Sequence, residues 1–192
     1  MMKKDEKNMN ISDVKTANKI ASAYLKTKHI QKGRNKGKVS SLWSLDWSID
    51  KDLQKDDRGR VYILVSDGKI MKLGGSQGKG GIKSTMSFYI TALSGSPSLR
   101  SFGIHKHIAE ELSKGRKVDV YCLWGPKTIS KVPGLFESTS MDVSPFKEME
   151  RNCVNDYKLN NDGRLPKWNY QENGEKWPSK IRDEYDYVKN GK

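Results

Sequence analysis

The dipeptide Asp67-Gly68 restricts this chain more than any other feature. Both central residues of the tightest hairpin turn need φ > 0, and Asp-Gly is one of the few pairs that accept it. Before the turn stands RVYILVS, residues 60–66, a β-branched and aromatic run suited to a strand. After it, KIMKLGGS pairs back antiparallel. The glycine-rich stretch GGSQGKGG at 74–81 then opens into a helix expected over 82–93. Tyr62 lies on the first strand and Lys72 on the second, both close to that loop.

Around this hairpin the remaining elements follow from periodicity. Ile11, Val14, Ala17, Ala21, Tyr24 and Leu25 recur at helical spacing and predict an N-terminal helix. It runs into KTKHIQKGRNKGK at 26–38, which holds six Lys or Arg, one His and no acid; its two glycines predict a loop. Trp43, Leu45, Trp47 and Ile49 alternate, as in a short strand or an extended packing segment. A helix over 103–114 and a strand over 117–124 come next, the latter alternating Val118, Val120, Cys122 and Trp124. Ser144 is a natural cap, with Pro145 at the first position of a helix reaching about Tyr157. The tail, 158–192, is expected to wrap the surface and to be tied down by Trp168 and Trp177.

Charge narrows the choice of partner. The chain of 192 residues carries a formal net charge of +13. Residues 1–38 hold 11 Lys or Arg against 3 Asp or Glu. That polarity suits a polyanion, nucleic acid or an anionic membrane surface, with a solvated basic tail as the plain alternative. No apolar run approaches the roughly 20 residues that cross a bilayer. The opening MMKKDEKNMNISD also lacks the apolar segment of a secretory signal. A soluble cytoplasmic protein is expected, with Cys122 and Cys153 as buried thiols and no disulfide.

Several sites of chemistry are excluded. The glycine loop is one residue short of a nucleotide phosphate loop, and Gly80 stands where a Ser or Thr should follow the lysine. His105 and His107, two apart on a helix, cannot clasp one metal, and are expected at the surface. Glu150 differs from these: it falls within the apolar face that Phe146, Cys153, Val154 and Tyr157 define. A carboxylate there needs a partner, either a basic side chain or a divalent cation such as Mg²⁺. Tyr62 by itself suits ordinary strand packing, and Lys72, between Met71 and Leu73, an open strand face.

Taken in order, these residues resemble the GIY-YIG nuclease family, and within it the type II restriction endonucleases. The first motif is Arg60-Val61-Tyr62 and the second Lys72-Leu73-Gly74. The closing segment is Glu150-Arg151-Asn152-Cys153-Val154, followed by LPKWN at 165–169. The resemblance spans about 60–169. It implies an α+β core, a small three-stranded, mostly antiparallel sheet flanked by helices. Residues 1–59 then form a helical, basic N-terminal extension that contacts DNA or dimerises, and 170–192 a tail packed on the core.

The resemblance also implies an activity, the Mg²⁺-dependent cleavage of double-stranded DNA at a specific short site by a homodimer. A cognate DNA methyltransferase would protect the same site. A mobile-element endonuclease and a non-catalytic nucleic-acid-binding protein are the alternatives. Tyr62 would act as general base on a water, Lys72 would lower its proton affinity or position it, and Glu150 would carry the single metal. The family places an arginine early in the helix after the hairpin and a His or Tyr one turn later. Here Lys83 and Tyr89 are the nearest substitutes, six apart, and Arg100 could fold back instead. Lys32, Arg34, Lys36, Lys38, Lys79 and Arg100 are the expected DNA contacts, together with Asn35 and the loop before Arg100.

Overall fold

The structure, a computed structural model, describes residues 9–26 and 41–190. A 3₁₀ turn, Ile11–Asp13, precedes β1 (Asn18–Leu25), β2 (Trp43–Trp47), α1 (Lys51–Lys55), β3 (Arg60–Ser66) and β4 (Lys69–Ser76). Then follow α2 (Gly81–Ile90), α3 (Leu99–Ser113), β5 (Val118–Trp124), β6 (Thr128–Pro133) and β7 (Ser138–Val143). Helices α4 (Phe146–Leu159) and α5 (Ser179–Asn190) complete the chain. The expected hairpin is present: Asp67 and Gly68 turn with φ of 45° and 79°, and every residue of β3 is buried.

The sheet is larger than the three strands expected. It has five, in the order β2-β1-β5-β3-β4, with every neighbouring pair antiparallel. The two additional strands come from the N-terminal segment assigned to a helical extension. Residues 18–25 can satisfy a helical stripe, yet as β1 they pair with β5 on one side and β2 on the other. Ladder bonding on both edges satisfies the backbone of three strands at once, and that outweighs a weak local preference. Ile20 and Ala21 are fully buried in the result.

Helices cover both faces. Tyr62 and Leu64 face a core built with Ile82, Met86 and Tyr89 of α2 and Phe102, Ile104 and Ile108 of α3. Trp168, Tyr170, Trp177 and Ile181 close that layer, so the tail is part of the core and not a surface wrap. On the other face Ile63, Val65 and Leu73 pack with Tyr157 of α4 and with Ile11 and Val14. The cap of α4 also departs from expectation. Pro145 occupies the cap position without a side-chain bond, and the Ser144 hydroxyl is buried without a partner. The Ser144 side chain packs into space that only a glycine at 59 leaves open, since a Cβ there would stand 1.7 Å from Oγ.

Strand β4 lies at the sheet edge, where unpaired backbone groups invite misassociation. The Leu165–Asn169 stretch covers it. The Trp168 N–H donates to the Met71 carbonyl at 2.8 Å, the Leu73 N–H to Asn169 Oδ1 at 2.9 Å, and Asn169 Nδ2 to the Leu73 carbonyl at 2.9 Å. Asn169→Ala would orphan both Leu73 groups. A loss of roughly 2–4 kcal/mol in urea denaturation is expected, and an unchanged midpoint would refute this account.

Strands β6 and β7 form a separate two-stranded hairpin, with Leu135 and Phe136 each 97% exposed near its turn. Cys122 and Cys153 are both free thiols. Among the described residues, no helix is long and apolar enough to cross a membrane.

Candidate active site

The site begins with two glycines. Tyr62 on β3 stands opposite Gly74 on β4, and a Cβ at Gly74 would lie 2.4 Å from the Tyr62 hydroxyl. The next residue, Gly75, donates its N–H to Glu150 Oε1 at 2.6 Å, and a Cβ there would meet Oε2 at 2.5 Å. The pair Gly74-Gly75 therefore leaves a gap in the side-chain wall of the edge strand. Through it a phenol held on one face and a carboxylate carried by α4 on the other come within electrostatic reach. Glycine inside a strand is a signal of close approach; here the approaching groups belong to the protein itself.

Tyr89 on α2 completes a phenol pair. The two hydroxyls are 2.6 Å apart and the rings meet edge to face, with centroids 6.2 Å apart. Burial pushes the proton affinity of both above the ordinary tyrosine range. Their shared hydrogen bond raises Tyr62 further and eases Tyr89. Both hydroxyls are therefore protonated at neutral pH, contrary to the expectation of a depressed Tyr62. The cation whose charge opposes this at both hydroxyls is Arg100.

Lys72 shares the sheet face of Tyr62, paired with Leu64 across the hairpin. It is only 2% exposed, and burial pushes its ammonium down to about 8. Glu172 and Glu150 favour its charged form and Arg100 opposes it. A buried lysine with no carboxylate in contact is costly in a domain held by packing alone.

The remaining expected residues divide. Glu150 is half-buried and no lysine or arginine of the described residues pairs with it. Arg100, on the first turn of α3, reaches the site as a charge while its side chain stays 44% exposed. Lys83, on the first turn of α2, and Lys79, in the loop before it, are both exposed. Neither is among the charges that act on the tyrosines or on Lys72. Lys32, Arg34, Asn35, Lys36 and Lys38 lie outside the described residues.

Neither histidine lies open on the surface as expected: His105 is fully buried and His107 half-buried. His105 bonds the Tyr89 carbonyl through Nδ1 at 2.8 Å and accepts the Leu42 N–H at Nε2 at 3.4 Å. His107 stacks between Trp168, Tyr170 and Trp177 and bonds the Tyr170 hydroxyl at 3.0 Å. Arg60, 1% exposed, was not singled out for a structural role. Its guanidinium bonds the Ser76 hydroxyl and the carbonyls of Asp56, Arg58 and Gly78, and so fixes the loop between β4 and α2. Gln171 and Glu172, which hold Arg100, carried no sequence signal beyond following LPKWN.

No three His, Cys, Asp or Glu side chains cluster as a metal centre among the described residues. What Glu150 offers is one carboxylate oxygen, Oε2, free of partners among the described residues. That donor fits Mg²⁺, which keeps most of its shell as water and substrate oxygen; it does not fit zinc, which takes three or four protein ligands.

No protein-family model matches the sequence, and no curated protein matches it. Solved structures that align with the chain include the following two. A mutant of bacteriophage T4 EndoII aligns with a TM-score of 0.48 and 17% identity, over 83% of this chain and 95% of that one. Restriction endonuclease HPY188I in complex with product DNA aligns with a TM-score of 0.46 and 17% identity, over 83% of this chain and 85% of that one.

Proposed function

We propose that the chain is a type II restriction endonuclease of the GIY-YIG kind, hydrolysing double-stranded DNA at a specific short site as a homodimer. The observation that carries this is the convergence at the Gly74-Gly75 gap. A phenol pair and a carboxylate approach one another there, with the buried Lys72 on the same sheet face and the half-exposed Arg100 acting on the phenols as a charge. Phosphodiester hydrolysis needs a base for the water, positive charge for the phosphate, and a place for a cation.

Each residue then has a task. Tyr62 takes the proton of the attacking water, with Tyr89 fixing its hydroxyl through the 2.6 Å bond. In the free protein both phenols are protonated, so Tyr62 must first release its own proton to solvent before it can take one from water; gathered positive charge favours that release, and Arg100 already acts in that direction. Lys72, on the same sheet face as Tyr62, carries its charge below about pH 8 and loses it above. Glu150 would hold one Mg²⁺, which supplies positive charge to the phosphate oxygens. Among the lysines, Lys83 and Lys79 serve as outer phosphate contacts, and the basic stretch of Lys32, Arg34, Lys36 and Lys38 tracks the backbone. A methyltransferase of the same specificity would protect the host DNA.

The test is incubation with unmodified phage DNA in Mg²⁺ and in EDTA. Discrete bands that appear only with Mg²⁺ are expected. DNA that stays intact on several templates, yet is retained by the protein in a mobility shift, would leave a binding protein in place of an enzyme.

A further inference from the structure

Arg100 is held by two residues from the segment that follows Asn169. Its Nε and Nη2 both donate to Gln171 Oε1, at 2.8 and 2.5 Å. Nη2 also lies 3.0 Å from Glu172 Oε1. Nη1 has no partner among the described residues. The Arg100 and Glu172 side chains are 44% and 36% exposed, an ion pair open to water and therefore weak. A phosphate meets a guanidinium through two parallel hydrogen bonds and outcompetes a lone carboxylate contact.

The position of this pair matters as much as its bonds. Arg100 eases ionisation of Tyr62 and Tyr89 and disfavours the proton on Lys72, whereas Glu172 acts oppositely on Tyr89 and Lys72. Glu150, reaching the same groups from α4, acts in the sense of Glu172. The Gln171 bonds occupy the Nε edge of the fork, so the Nη1–Nη2 edge is the one left to a ligand once Glu172 leaves.

We propose that Gln171 and Glu172 hold Arg100 ready as the phosphate-binding cation of this site, with the Glu172 carboxylate occupying the place of a substrate phosphate and giving way to it. The proposal takes its substrate from the nuclease function above. Gln171 is then a positioning residue that stays bonded throughout, and Glu172 a displaceable one.

Inorganic phosphate titrated into the full chain, followed by NMR at the Arg100 Nε–H, reads the binding directly. Wild type is expected to bind at Arg100, and Glu172→Gln to bind several-fold more tightly. Duplex DNA affinity, measured in Ca²⁺, completes a double-mutant cycle. Glu172→Gln should tighten it with Arg100 present and change nothing in an Arg100→Ala background. Titration of Lys72 by ¹³C NMR reports the same link without substrate, moving down in Glu172→Gln and up in Arg100→Ala. Equal phosphate affinity in wild type and Glu172→Gln, or tightening that persists without Arg100, would overturn the proposal, because the carboxylate would then act only as general charge. A protein that cuts DNA but lacks the coupling loses this proposal alone. One that shows the coupling but cuts no DNA keeps it and loses the nuclease function.

Discussion

Tyr62→Phe is expected to slow DNA cleavage by roughly 10²–10⁴-fold, the usual worth of a positioned general base, while DNA affinity in Ca²⁺ stays within about twofold. The ring is retained, so its packing beside Leu64 and over Gly74 survives, and only the hydroxyl that faces Tyr89 is lost. Glu150→Gln makes the complementary test. Its amide oxygen can still accept the Gly75 N–H, so β4 and α4 stay joined, but the charge is gone. Cleavage should fall by about 10³-fold or more, and Mg²⁺ binding by calorimetry should vanish. Full cleavage by Glu150→Gln would sink the metal assignment, and full cleavage by Tyr62→Phe the assignment of the base. Gel assays on one cut site, at matched protein concentration, settle both.

Acid should destabilise the fold well before its carboxylates titrate. Burial pushes both His105 and His107 down to about 4, against an ordinary 6.5. The sign follows from which state binds the proton. Between pH 6.5 and 4 the unfolded chain takes up protons that the folded chain refuses, so stability is complete above 6.5 and falls as pH falls toward 4. Each ring contributes about 3 kcal/mol across that window. For a domain of ordinary stability, about 5–15 kcal/mol, two such rings bring unfolding within reach near pH 4–5. The carboxylates held low by their partners, Asp56, Glu110 and Glu111, act in the same direction only below their own ordinary values. Urea denaturation at pH 7 and pH 5 therefore isolates the histidines. His107→Gln should remove about half of the difference, and a wild-type protein equally stable at both pH values would refute the assignment.

Why the histidines were misplaced is instructive. They sit two apart on a helix, one side chain turned to Trp43 and the other to the aromatic tail, and no periodicity in the α3 sequence distinguishes that from two exposed rings. The deciding partners lie at 42–43 and 168–177, far away in sequence. The same holds for β1. Its apolar spacing fits a helix, and only the free edge of β5, about 100 residues downstream, makes it a strand. By contrast, the β3–β4 hairpin was legible because turn and strands are adjacent and each prefers its conformation locally.

For the site, the family resemblance pointed to Tyr62, Lys72 and Glu150, with Arg100 as one stand-in for the missing arginine; by local chemistry only Glu150 stood out, as a carboxylate on an apolar helix face. Sequence alone settled the hairpin, because backbone preference is a property of a short stretch of chain. Tertiary structure decided that Tyr62 and Glu150 approach each other through Gly74-Gly75, that Arg100 acts on the phenols, and that Glu172 occupies its guanidinium. Distances and desolvation between residues tens of positions apart arise only when the sheet closes, and they shift the proton affinities of Tyr62, Tyr89 and Lys72.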